Sequence, residues 1–189
     1  MKREPLAVLR EVFGHTEFRG PQEEVIGHVV GGGDALVLAP TGIGKSATFQ
    51  VASLCREGTG VVVSPLIALM HDQVQHLHAA GVRAAYLNST QTQDQQRKVR
   101  DDLAAGRLDF VYVTPERMAM PGFQAVLSRT KISLFAVDEA LRLAMGARFP
   151  PGIPGSRQTE GSVPVGSHDG AHRHGRSADE DRHPQGPAA

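Results

Sequence analysis

The chain has 189 residues, enough for one domain of ordinary size with a tail. Its 20 Lys and Arg balance 20 Asp and Glu, so the overall charge carries no signature of nucleic-acid binding, and any such binding must be local. The single cysteine, Cys55, excludes an internal disulfide and a cysteine-cluster zinc site, and it is predicted to fill core space. No apolar run approaches a membrane span and the N-terminus lacks a signal-peptide core, so we expect a cytoplasmic protein.

Apolar runs alternate with amphipathic segments as far as about residue 140. Gly14 ends the first predicted helix, Pro21 lies in the first turn of the second, and Gly81 ends a later amphipathic one. Helices are predicted over 5–13, 21–30, 47–54, 66–80, 90–105, 115–120 and 122–128, and strands over 35–38, 61–63, 84–87, 109–113 and 132–137. This alternation predicts an α/β fold with a parallel sheet wrapped on both faces by helices. The chemistry is then expected at the carboxyl ends of the strands.

A glycine-containing segment, Thr41-Gly42-Ile43-Gly44-Lys45-Ser46, lies between the first predicted strand and a predicted helix. Glycines let the backbone fold around an anion, and the helix N-terminus adds a favourable dipole. Lys45 is then placed to reach the phosphates of ATP, and the Ser46 hydroxyl to ligate Mg²⁺. The longer pattern G-x-x-x-x-G-K-S/T requires glycine where this chain has Ala39. A glycine turn before a helix is the alternative interpretation.

An acidic pair, Asp138-Glu139, follows the last predicted strand. ATP hydrolysis needs a cation shared by the phosphates and a group that orients water. Asp138 is predicted to hold Mg²⁺, mainly through water, and Glu139 to polarise the attacking water. By itself such a pair is also explained as the N-cap of a helix.

Several short motifs in order resemble the first motor domain of RecQ-type DNA helicases, in helicase superfamily two. They are Phe18-Arg19-Gly20-Pro21-Gln22, Pro40 to Ser46 with Phe49-Gln50, Val61 to Val74, Leu87-Asn88-Ser89-Thr90, Thr114-Pro115-Glu116-Arg117 and Ala136 to Ala140. The resemblance implies a RecA-like fold and an ATP- and Mg²⁺-dependent motor that unwinds DNA in the 3′-to-5′ direction in recombination and repair.

The resemblance also implies residue roles that periodicity does not supply. Gln22 reads the adenine edge, with Arg19 supporting that contact. Ser64, Thr114 and Arg117 lie along a groove that tracks single-stranded DNA through contacts to phosphates. Without the family, Gln22 is a polar residue at a helix start, and the other three are caps and turn residues.

The family pattern breaks after Ala140, where a His and an aromatic-rich loop are expected and Leu141 to Phe149 stand instead. If Leu141 is encoded by CTG and the gene is read from the second base of that codon, permitted codons can give the residues that the family has here. In this shifted frame the codons of Met145 and Gly146 contain TGG, which encodes Trp. We therefore expect an incomplete motor domain over 1–140 and a disordered, out-of-frame tail over 141–189. A metal-binding His tract is the alternative for this Pro-, Gly- and His-rich tail.

Such a chain is expected to be inactive as a helicase, or to bind only ATP and DNA, because the second motor domain normally supplies an arginine to the transition state. Two other functions remain open. One is a nucleotide-dependent DNA-binding module that does not unwind DNA. The other is an unrelated phosphate-loop kinase, although we find no acceptor pocket or lid segment for it. A kinase should show no coupling between single-stranded DNA and ATP affinity. Oligomeric state stays open.

Overall fold

The computed structural model describes residues 3–37 and 44–138, and the backbone of 163–165. Its helices are α1 Pro5–Phe13, α2 Gln22–Val30, α3 Lys45–Leu54, α4 Ile67–Ala79, α5 Gln93–Ala104, α6 Pro115–Met118 and α7 Pro121–Leu127. Its strands are β1 Ala35–Val37, β2 Thr59–Val63, β3 Ala84–Leu87, β4 Phe110–Val113, β5 Ile132–Val137 and β6 Val163–Val165. In the described part of the chain, no helix is long and apolar enough to cross a membrane.

Four strands form one parallel sheet in the order β3-β4-β2-β5. β2 and β4 lie at its centre and are buried along their whole length, as expected for strands covered on both faces. The predicted α/β fold with a parallel sheet is therefore confirmed. Chain neighbours β2 and β3 are separated by β4, so the connections cross over, as parallel strands require.

Helices cover both faces of this sheet because alternate strand residues point to opposite sides. On one face, Val61, Val63, Val111 and Val113 pack against residues of α5, α6 and α7. On the other face, the intervening strand residues pack against α4 and α3. α1 and α2 cover the outer side of α3 in a third apolar cluster that includes Cys55. The predicted core role of that cysteine is confirmed by its burial.

The first strand departs from the expectation of one five-stranded sheet. β1 pairs in parallel with β6, register Ala35↔Val163 to Val37↔Val165, as a separate two-stranded sheet. Leu36 is 49% exposed, so β1 is not sandwiched between helices as β2 and β4 are. β6 also lies inside the segment predicted to be disordered. The rest of that segment and its His tract lie outside the described residues, so the boundary at residue 140 remains a prediction.

Candidate nucleotide and nucleic-acid site

The predicted phosphate-binding segment leads into the first turn of α3. Gly44 is the N-cap of this ten-residue helix and has φ 87°, a left-handed backbone conformation that residues with a Cβ rarely adopt. Lys45 and Ser46 are the first two helical residues, so they lie beside backbone N–H groups that α3 does not use internally. Thr41, Gly42 and Ile43, predicted to complete the loop, lie outside the described residues.

Gln22 is held against this segment. Its side-chain Nε2 donates a hydrogen bond to the carbonyl of Gly44 at 3.0 Å, and its Oε1 accepts from the backbone N–H of Arg19 at 2.8 Å. The contact is close, since a Cβ at position 44 would lie 2.6 Å from Nε2 of Gln22. The structure therefore brings Arg19, Gln22 and the start of α3 together. Adenine recognition by Gln22 stays a prediction.

The orientation of α3 over β5 brings Lys45 and Ser46 towards the end of the sheet that carries Asp138. Near the far end of the helix, the hydroxyls of Ser53 and Ser133 are hydrogen bonded at 2.6 Å. From that contact, α3 runs back about 10 Å to Ser46, and β5 runs forward about 16 Å to Asp138. Gln50, between Ser46 and Ser53 on α3, contacts Tyr112 near the carboxyl end of β4, so α3 runs antiparallel to the strands and its first turn approaches the edge that carries Asp138. Glu139, the predicted water-orienting residue, lies outside the described residues.

Strand register aligns polar residues along that carboxyl edge. Val63 is paired with Val113 and with Val137, and Val113 is paired with Leu87. The residues that follow these four positions are therefore neighbours across the sheet, at about 4.8 Å per strand. From β3 to β5 they are Asn88, Thr114, Ser64 and Asp138. The predicted DNA-contacting hydroxyls and the predicted Mg²⁺ ligand thus occupy one continuous row.

The hydroxyls of this row also have structural roles. Ser64 Oγ accepts from the backbone N–H of Leu66 at 3.4 Å, and Thr114 Oγ1 caps α6 by accepting from Arg117 N–H at 3.4 Å. Both residues are buried, whereas the Arg117 guanidinium is partly exposed and lies 3.2 Å from the sulfur of Met120. The interpretation of Ser64 and Thr114 as turn and cap residues therefore holds locally, and their DNA contacts remain predictions.

A buried polar connection beneath the row was not assigned a role from sequence. The side-chain Nε2 of Gln50 donates to Gln73 Oε1 at 2.8 Å and to the Tyr112 hydroxyl at 2.9 Å. Burial raises the pKa of Tyr112, the bond from Gln50 opposes this, and the charge of Asp138 adds to it. The available sequence signal was a glutamine between the apolar residues Phe49 and Val51 of a predicted helix.

Asn88, in the row beside Thr114, was singled out in a motif but given no role. Its Oδ1 accepts from both the N–H and the hydroxyl of Thr90, at 2.9 and 2.8 Å, which fixes the orientation of the amide. Its Nδ2 is buried and makes no hydrogen bond to any residue that the structure describes. The amide oxygen thus shapes the turn before α5, while the NH₂ group has no partner among the described residues.

A cavity of about 490 Å³ lies at the opposite, amino-terminal edge of the sheet, away from the predicted site. Its walls include Arg83, Asp109 and Lys131. These charges are matched, because Arg83 binds Asp109 at 2.6 Å and Lys131 binds Glu57. Partial burial raises the pKa of Asp109, but the hydrogen bonds from Arg83 outweigh it and hold that pKa below its ordinary value. Paired charges of this kind stabilise a surface and do not by themselves indicate a ligand.

Comparisons with known proteins identify the family of this chain. The family model for "DEAD/DEAH box helicase" matches residues 19–152. The ATP-dependent DNA helicase RecQ of Haemophilus influenzae is 47% identical over 135 residues, which is 71% of this chain and 22% of that protein. RecQ of Bacillus subtilis is 40% identical over 135 residues, 71% of this chain and 23% of that protein. The chain thus spans about a fifth of the length of these curated relatives.

Among solved structures, a hypothetical ATP-dependent RNA helicase from Sulfolobus tokodaii superposes with a TM-score of 0.59 at 24% identity. The match covers 75% of this chain and 42% of the other, and it supports the RecA-like fold. Fold, motif order and sequence similarity agree on one assignment. The chain belongs to the DEAD/DEAH box helicase family, and its sequence resembles the RecQ-type ATP-dependent DNA helicases.

Proposed function

We propose that the described domain is the ATP-binding motor domain of a RecQ-type DNA helicase. One observation carries the proposal: strand register aligns Thr114, Ser64 and Asp138 on one edge, and α3 brings Lys45 and Ser46 to that same edge. A nucleotide and a DNA strand bound at this edge would therefore lie side by side. That arrangement is what coupling of ATP hydrolysis to strand movement needs.

The residues at the start of α3 suit a triphosphate with Mg²⁺. Helix N–H groups and the Lys45 ammonium would bind phosphate oxygens, and the Ser46 hydroxyl together with Asp138 would hold the metal. Bound Mg²⁺ would neutralise phosphate charge and polarise the reacting phosphoryl group. Thr41, Gly42, Ile43 and Gly44 would supply the rest of the loop, and Arg19 with Gln22 would contact the adenine. Glu139 would orient the attacking water.

Single-stranded DNA is the proposed partner of the carboxyl edge. Arg117 would contribute charge to a phosphate, and the Ser64 and Thr114 segments would contribute hydroxyl and backbone contacts. For the whole protein we propose 3′-to-5′ unwinding during recombination and repair, in the cytoplasm. For this 189-residue chain tested alone, we expect nucleotide and DNA binding with ATP turnover near background.

Binding of a fluorescent ATP analogue with Mg²⁺ tests the nucleotide half of the proposal. Lys45→Ala should weaken binding roughly tenfold or more, because a charge-assisted contact to phosphate is lost. Lys98→Ala, at an exposed lysine of α5, is the matched control and should leave the affinity unchanged. Equal affinities for the two variants would contradict the assignment of the phosphate site.

Fluorescence anisotropy with a labelled single-stranded oligonucleotide tests the DNA half. Arg117→Ala should weaken binding and reduce its dependence on salt concentration by about one phosphate contact. Arg129→Ala removes an exposed arginine at the opposite edge of the sheet and serves as the control. If Arg129→Ala has the larger effect, DNA does not bind at the carboxyl edge. Robust DNA-stimulated ATP hydrolysis by the unaltered chain would refute the expectation of background turnover.

A further inference from the structure

The buried amide of Gln50 joins the three elements that surround the predicted site. Gln50 lies on α3, Gln73 on α4, and Tyr112 on β4. Both protons of Nε2 are used, one for Gln73 Oε1 at 2.8 Å and one for the Tyr112 hydroxyl at 2.9 Å. Gln50 is only 5% exposed, so water competes weakly for these bonds. A single planar group therefore fixes the positions of its two partners relative to α3.

The nucleotide side of this connection is short and rigid. Gln50 follows Ser46 by four residues, so both side chains lie on the same face of α3, about 6 Å apart along its axis. Any change in the position of α3 that accompanies phosphate binding at its first turn must therefore move the Gln50 amide. The remainder of α3 is packed between the sheet and the helices α1 and α2, so it moves as a unit.

The DNA side divides into two branches. Tyr112 lies on the central strand β4, and Thr114, the N-cap of α6, follows it by two residues. Gln73 lies on α4, the helix that begins three residues after Ser64. Each acceptor of the Gln50 amide thus lies on an element that directly adjoins the segment of a proposed DNA-contacting residue, α4 after Ser64 and β4 before Thr114. The Gln50–Gln73 hydrogen bond also joins α3 directly to α4.

We infer that Gln50 is a positioning residue that couples the nucleotide site to the DNA groove through Gln73 and Tyr112. The inference rests on the proposed function, because it needs both ligands to bind. Coupling here means that a saturating DNA strand changes the affinity for nucleotide by some factor, and nucleotide changes the affinity for DNA by the same factor. Breaking the connection should reduce this factor and leave each ligand's affinity measured alone nearly unchanged.

The test uses the full chain and measures the dissociation constant of a non-hydrolysable ATP analogue with and without saturating single-stranded oligonucleotide. Gln73→Leu removes the acceptor on α4, and Tyr112→Phe removes the acceptor on β4. Each should lower the coupling factor roughly two- to tenfold, the range that one net hydrogen bond contributes. Gln73→Glu should retain coupling, because a carboxylate oxygen still accepts from Nε2. Gln75→Leu, at an exposed glutamine on the same helix, is the matched control.

The outcomes separate the inference from the function on which it rests. If the unaltered chain binds no nucleotide or no DNA, the proposed function fails and the inference fails with it. If it binds both with a coupling factor of one, or if Gln73→Leu couples as strongly as Gln75→Leu, the inference fails and the function stands. Loss of coupling in both Gln73→Leu and Gln73→Glu would also overturn it, since the hydrogen bond would not be the cause. Thermal unfolding of each variant verifies that the fold is retained.

Discussion

Replacing Ser53 with alanine tests the contact that sets α3 over β5. The hydroxyls of Ser53 and Ser133 lie 2.6 Å apart and both residues are buried, so Ser53→Ala leaves the Ser133 hydroxyl without that partner. An unsatisfied buried hydroxyl costs about 1–3 kcal/mol. The higher helix propensity of alanine offsets about 0.5 kcal/mol of this loss of stability. We therefore expect the free energy of unfolding to fall by about 0.5–2.5 kcal/mol.

Replacing the partner, Ser133, with alanine should have a smaller effect. In Ser133→Ala the Ser53 hydroxyl remains on a helix, where it can turn to the carbonyl of Phe49 four residues earlier. The double variant removes both polar groups and should be less destabilised than the sum of the two single variants, by about 1 kcal/mol. Such non-additivity is expected because the two hydroxyls are hydrogen bonded to each other.

Urea unfolding followed by circular dichroism measures these differences in one buffer. Ser128→Ala is the matched control, because the Ser128 hydroxyl is exposed and donates to the carbonyl of Ala125 at 3.0 Å, three residues earlier on the same helix end. It should change stability by no more than about 0.5 kcal/mol. If Ser53→Ala behaves like Ser128→Ala, or if the two buried substitutions are simply additive, the hydroxyl contact does not fix α3 against β5.

Three single residues, Gly44, Cys55 and Asp109, give further predictions. Gly44→Ala should destabilise the fold by about 1–2 kcal/mol in urea unfolding and weaken nucleotide binding. The reason is that φ is 87° at this position and a Cβ would lie 2.6 Å from Nε2 of Gln22. Gly27→Ala is the control on α2, where a Cβ meets open space, and it should be neutral or stabilising. Burial raises the pKa of Cys55 to about 11, so Ellman's reagent should react slowly at pH 8 until urea is added. The same shift gives stability that is present below the ordinary pKa of 9.0 and is lost as the pH rises towards 11, which pH-dependent unfolding can follow. The lowered pKa of Asp109 gives stability that is present above 3.8 and is lost as the pH falls below it, so Arg83→Met should flatten the acid limb of the unfolding profile, and an unchanged limb would contradict the pairing.

Local sequence signals determined the elements and placed their boundaries to within a few residues. α1, β3 and β5 begin and end where periodicity and punctuation predict. α5 was predicted from residue 90 but begins at Gln93, because Thr92 and Gln95 form a capping box and Asn88 bonds Thr90 to form a turn before it. That cap is itself a sequence signal, so this boundary was within reach of the sequence. The motif order also indicated the family that the comparisons support.

The pairings between distant residues were decided only by the tertiary structure. Gln50 and Tyr112 are 62 residues apart, and Ser53 and Ser133 are 80 apart. Periodicity reports which face of an element is apolar, but it carries no information on which strand lies beside which. The strand order β3-β4-β2-β5 aligns Asn88, Thr114, Ser64 and Asp138 in one row. The pairing of β1 with β6 places β1 in a separate sheet, which its sequence does not predict. The sequence by itself determined the chemical groups of the site and the elements that carry them, because propensity, capping and turn chemistry act over a few residues. The tertiary structure decided how those groups meet, because packing and hydrogen bonding join residues that the chain keeps far apart.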